Sequence, residues 1–210
     1  MPAAAPSEPL SRWRPGPARL AALLSALWVF GIGEALLVAA ALGNSPWTVL
    51  AQGAGKQTGI AVGTMTVIVS FLVLLTWIPL RQRPGLGTLA NATVIGISID
   101  VMLPLLPGLH SLAARLAAVA VGLALVALGS GVYLACRLGP GTRDGLMTGL
   151  HRRTGLSLRL VRTGIELSAV TVGFVLGGRV GIGTVAFALL IGPLVQLSLG
   201  IFDSGPTTGL

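Results

Sequence analysis

The chain reads as an all-α membrane protein of about six transmembrane helices. They form two inverted three-helix repeats, each with one short interfacial or re-entrant helix. Three observations lead there. Of 210 residues, 53% are hydrophobic and only 10% charged, where a soluble domain carries about 25% charged residues. Several apolar stretches approach the roughly 20 residues that span a hydrocarbon core of about 30 Å. The sequence also repeats: shifted by 96 positions, Leu42–Val101 matches Leu138–Leu197 without a gap, identically at fifteen of sixty positions. An offset held that long marks one module used twice.

Met1–Pro17, rich in Pro, Ala and Ser, is expected to be a disordered cytoplasmic tail. A cleaved signal peptide is the competing reading, but the apolar stretch that follows is too long for one and contains Glu34. A first repeat over residues 18–106, a second over 112–202 and a C-terminal tail over 203–210 complete the organisation. The expected spans are Arg19–Leu42, Ile60–Leu80, Gly85–Leu106, Leu112–Leu138, Leu156–Gly178 and Gly181–Phe202. Short connections at Arg81–Pro84 and near Arg179 make antiparallel neighbours of the spans they join.

Between the first two spans of each copy lies a polar segment, Leu42–Gly59 and Leu138–Gly155. Ser45-Pro46 combines an N-cap with a proline in the first turn. Thr142 is the matching candidate cap, with Asp144 near the positive helix end. Lys56 and His151-Arg152-Arg153 fall near the C-terminal ends, where cations are favoured. Helices of roughly ten residues would be about 15 Å long, half a bilayer. Two arrangements stay open. As re-entrant half-helices they would aim their N-termini inward at an anionic group. As interfacial helices, the expected arrangement, they would lie flat on Trp47, Leu50, Ala51 and Ala54, with Trp47 at the headgroups.

Loop charge sets the orientation. One side would hold Arg12, Arg14, Arg19, Arg81, Arg83, Arg137, Arg143, Arg152, Arg153, Arg159 and Arg162, the other only Lys56, Arg115 and Arg179. Eleven against three places both termini in the cytoplasm. Each copy has an odd number of spans, so the second enters the membrane upside down. Inverted pairs of this kind recur in secondary transporters.

Other classes fare poorly. A single cysteine, Cys136, excludes a disulfide framework and a multi-cysteine metal site. The net charge of +8 is spread between spans, with no polar domain or stacking surface for nucleic acid. No HExxH or nucleophile-elbow sequence occurs, so no enzyme, metal or cofactor is expected.

Ionisable groups inside a bilayer are costly and functional by default. Glu34, Asp100 and Glu166 qualify, and their partners in the repeat, Ser130, Gln196 and Ser70, are all polar. Glu34 and Glu166 are the candidates for a central proton or cation site. A simpler reading of Glu166 pairs it with Arg162, one turn earlier. Asp100 and Gln196, with Asn91 nearby, fall late in the third spans and should approach opposite faces; a wetted interfacial position is the alternative for Asp100. Arg143 and Asp144 either pair with one another or cap neighbouring helix ends. Glycines every four residues, at Gly141, Gly145 and Gly149 and at Gly55, Gly59 and Gly63, suit close helix packing within one chain or between two copies.

GLGTLANATVIGISID at Gly85–Asp100, SPW at Ser45–Trp47 and GPGTRDGLMTGLHRRTGL at Gly139–Leu156 resemble the YczE-like branch of the YczE/YyaS/YitT membrane proteins. The resemblance covers nearly everything after the tail. It implies a bacterial multi-span inner-membrane protein whose biochemical role is unsettled. The chain departs from that pattern at Thr48, where an acidic residue would follow Pro-Trp. The expected function is a transporter or permease passing a small solute or ion between the halves. The alternative is a non-transporting scaffold or regulatory partner that uses the glycine faces and the basic loop.

Overall fold

The computed structural model describes residues 12–202. The expectations for residues 1–11 and 203–210 lie outside them. Eight helices follow in order: α1 (Pro17–Ala40), α2 (Pro46–Thr58), α3 (Val62–Trp77), α4 (Leu86–Met102), α5 (Leu112–Ala135), α6 (Thr142–Thr154), α7 (Leu158–Val175) and α8 (Ile182–Phe202). A 3-10 turn, Leu103–Leu105, extends α4. Helices α2 and α6 have 13 residues each, longer than the sequence suggested. Each is about 20 Å long.

The repeat is written into the backbone. Among the described residues, those with positive φ are Ala41 and Arg137, Gly43 and Gly139, Gly59 and Gly155, and Arg81 and Gly177. Each pair is 96 positions apart. A left-handed conformation costs a residue with a Cβ roughly 1–2 kcal/mol, so Ala41 must be held there by its surroundings. Arg115 does this: its Nε donates to Ala40 O at 2.6 Å and its Nη2 to Ala41 O at 2.7 Å. Arg19, its equivalent, donates through Nε to Cys136 O at 2.7 Å. The first turn of each long helix thus clamps the last turn of the other, and α1 and α5 run antiparallel. A second exchange matches it, with Gly87 N donating to Leu138 O and Gly183 N to Leu42 O, both at 2.9 Å.

Apolar burial drives little helix association in lipid, so close backbone approach matters more. A methyl on Gly33 would meet Gly122 O at 2.7 Å, and one on Gly129 would meet Ala26 O at 2.5 Å. Glycine is therefore required along the α1–α5 contact. Helices α4 and α8 flank this pair, and the four build the core around Leu27, Leu37, Ile99, Leu123, Val126 and Phe187.

The remaining helices cross over. Helix α2 packs on α7, and α6 on α3, so each short helix lies on the third helix of the other copy. Trp77 sits against Gly145 and donates through Nε1 to Thr142 O at 3.0 Å. Gly173 occupies the equivalent place, where a methyl would meet Leu50 N at 2.5 Å. Of the face of α2 expected to lie on the membrane surface, Ala51 is fully buried and Leu50 meets Gly173 of α7, while Trp47, Leu50 and Ala54 are half-buried.

Two equivalent seams differ. Helix α3 runs along α4, and the Asp100 carboxylate accepts from Gly63 N and Thr64 N at 2.6 Å and from Thr64 Oγ1 at 2.7 Å. The equivalents in the second copy are Arg159, Leu160 and Gln196, which supply neither the carboxylate nor the glycine. There α7 packs on α2 and α6, α8 packs on α5, and the α7–α8 seam stands open.

Among the described residues four helices, α1, α4 with its turn, α5 and α8, are long and apolar enough to cross a membrane. The bent pair of α2 and α3, at 112° to one another, makes up to five. Helix α3 alone has 16 residues. Helix α7 carries Arg159, Arg162 and Glu166, so by length and composition it falls outside the count. The cations separate by end. Lys56 Nζ donates to Gly177 O, and Arg115 and Arg179 donate to Ala41 O. Arg19 and Arg153 bind carbonyls at the far end of the bundle, on Cys136 and Pro79.

Candidate functional site

Helices α2 and α6 begin beside one another. Trp47 and Arg143, equivalent in the repeat, touch: the guanidinium lies 5.8 Å from the ring centroid, within cation–π range. A cavity of about 320 Å³ opens at this point. Its walls include the repeat-equivalent pairs Phe30 and Val126, Pro46 and Thr142, Trp47 and Arg143, and Asn91 and Phe187. The cavity therefore sits on the junction of the two copies. The open α7–α8 seam widens it toward the second copy, adding Ser130, Tyr133, Asp144, Arg162, Glu166 and Gln196. Its volume lies at the small end of ligand sites. A larger apolar groove, about 500 Å³, runs along the other face of α7 and shares Trp47, but it offers almost no polar group.

The candidate residues divide. Asn91, Ser130, Gln196, Glu166, Arg143, Asp144 and Trp47 line the cavity. Glu34, Asp100 and Ser45 do not. Glu34 is 1% exposed, and its Oε2 accepts from Ser45 Oγ at 2.9 Å and from Thr48 Oγ1 at 2.8 Å. Among the described residues its Oε1 has no hydrogen-bond partner. Ser45 does occupy the N-cap position of α2, but its hydroxyl goes to Glu34 instead of to a helix amide. Thr142 is the first residue of α6 rather than its cap; the cap is Gly141, which lies against the Asp144 carboxylate.

Glu166 pairs with Arg162 at 2.9 Å, the simpler of its two readings, while still facing the cavity. Arg143 lies over Trp47 instead of pairing with adjacent Asp144. Asp100 holds the α3–α4 seam, away from the junction. Sequence reasoning passed over Thr48 as a partner of Glu34, Arg162 as a wall residue, and Tyr133. Tyr133 is the only tyrosine, and its hydroxyl donates to Gly139 O at 2.9 Å, bracing the reversal before α6. A lone tyrosine in an apolar span was the available signal. No group of three metal-ligating side chains occurs among the described residues.

Comparison with known proteins adds kinship. The model of a family of unknown function, DUF6198, matches residues 17–199. An uncharacterized protein of Haemophilus influenzae is 42% identical over 196 residues, covering 93% of this chain and 90% of the relative. The uncharacterized membrane protein YczE of Bacillus subtilis is 34% identical over 160 residues, covering 76% and 74%. The uncharacterized protein YyaS of the same organism is 28% identical over 179 residues, covering 83% and 89%. No solved structure matches.

Proposed function

We propose, for a chain that belongs to the DUF6198 family and to its YczE-like group of multi-pass membrane proteins, the role of a transporter or permease of a small solute or ion. The observation that carries this is the cavity: its walls include four repeat-equivalent pairs, and it opens through one of two equivalent seams while the other is shut. Six spans, counting α3 and α7, form two repeats of opposite sense. The antiparallel α1–α5 pair and the exchanged Arg19 and Arg115 contacts support this. Helices α2 and α6 are re-entrant, since their first residues wall the cavity and α2 is buried against α7. The protein sits in the bacterial inner membrane with both termini cytoplasmic, as the separation of cations between the bundle ends favours. Rocking α7 toward α8 while α3 leaves α4 would turn the cavity to the other side.

Two measurements test this. Reporter fusions after Lys56 and after Arg152 are expected on opposite sides of the membrane; the same side would end the inverted reading. A cysteine at Gln196, with Cys136→Ser as background, should react with impermeant maleimide from both faces of sealed vesicles. Labelling from one face alone, at every ligand and voltage condition tried, would leave no alternating access.

A further inference from the structure

Each half-helix begins beside one carboxylate, but the two copies place it differently. At the start of α2 the acid comes from the neighbouring long helix, as Glu34, and the hydroxyls from the short one, as Ser45 and Thr48. In the second copy these positions are Ser130, Gly141 and Asp144. The hydroxyl is now on the long helix, and the acid is in the first turn of the short one. The exchange keeps a single negative charge at each positive helix end. It also gives a reason for Thr48: an acid there would put two carboxylates at one helix start.

Side-chain charges along the junction do not cancel. Among the described residues, Glu34, Asp144 and Glu166 face Arg143 and Arg162, leaving a formal side-chain charge of −1. Arg162 is taken by Glu166. Arg143, held over Trp47, acts on both Glu34 and Asp144 without bonding either. Asp144 is faced further by Arg162 and Glu166 from α7 and by Tyr133 from α5. A buried carboxylate with an unbonded oxygen, as Glu34 has at Oε1, is costly unless a positive partner arrives. Two acids thus share one guanidinium among the described residues, and beyond it each has only the partial positive charge of a helix end.

Resting on the transport reading, we infer that the cavity binds one monovalent cation at a time, a proton or a small ammonium ion. Asp144 is the carboxylate that meets it from the open side, and Glu34 is the sealed counterpart from the other copy. The carboxylate gains a proton or contacts the ammonium group, and no bond in the protein breaks.

The test uses the full chain, purified and reconstituted into vesicles under an inside-negative potential. Proton entry is read by an enclosed pH dye, and ammonium entry by labelled methylammonium, which separates the two sources. Binding is read independently, in detergent, as the rise in unfolding temperature on adding methylammonium or lowering pH. Asp144→Asn should cut the flux about tenfold or more and abolish the binding shift. Glu34→Ser should do the same, while Glu34→Ser combined with Thr48→Asp, which copies the second arrangement into the first, should recover most of both. Monodisperse elution confirms folding of each variant. Flux and binding unchanged in Asp144→Asn, or no recovery in the combined variant, would overturn the assignment. Cation binding without flux of either ion would sustain the site and remove the transport reading. Flux of neither cation with no binding shift would remove the cation site.

Discussion

Arg19 and Arg115 stand at one position of the repeat and close opposite ends of the α1–α5 pair. Hydrogen bonds from a charged donor contribute about 1.5–3 kcal/mol. Arg115→Ala should lower stability by about that much, read from thermal unfolding in detergent. Arg115→Lys should restore only part, because an ammonium cannot span Ala40 O and Ala41 O as the planar fork does. Glycines on one helix give a matched contrast. Gly173→Ala would press a methyl into Leu50 and should cost about 1–3 kcal/mol, whereas Gly164→Ala meets open space and should be neutral. Glu34, Asp144 and Glu166 stand out in the sequence because charges are rare among apolar residues. What they touch does not. Ser45 and Thr48 reach Glu34 only because the chain reverses through Ala41 and Gly43, and a hydroxyl at an N-cap position reads the same whether it bonds an amide or a carboxylate.

At the scale of helices, the element order was legible. Apolar length and punctuation locate α1, α3, α4, α5, α7 and α8 to within a few residues, and the 96-residue offset carries over to the helix starts, as with Pro46 and Thr142 or Leu86 and Ile182. The buried face of α2 was not legible. Its small residues suit a membrane surface as well as the backbone of α7, and α7 belongs to the other copy. The difference between the seams was legible only in part, as the change from Gly63 and Asp100 to Arg159 and Gln196. That change predicts unequal mobility. Asp100→Asn removes a charge that holds two amides and a hydroxyl at the start of α3. A cysteine at Met65, buried in the parent, should then react with maleimide several-fold faster, by about a factor of ten for each 1.4 kcal/mol of lost hold. An unchanged rate would mean that the seam is held by its glycine contacts alone.

Across the whole molecule, neither copy closes on itself. Helices α2 and α6 are completed by α7 and α3, and the core pairs α1 with α5. Fragments 1–106 and 107–210, expressed separately, should each be degraded. Expressed together, they should co-purify and match the parent in cysteine reactivity. Stable folding of either alone would show that a copy has a core of its own. The crossover also sets a clock. Lys56 meets Gly177, 121 positions downstream. With synthesis at about 5–20 residues per second, α2 waits roughly 6–24 s for the helix that covers it. During that interval α3 can already pack on one side of α2, at Gly55, but the side at Gly53 that α7 will cover has only lipid or the insertion machinery beside it. The hazardous moment for this protein falls on the ribosome: nascent chains stalled short of α7 should be cut by protease within α2, where the finished protein resists.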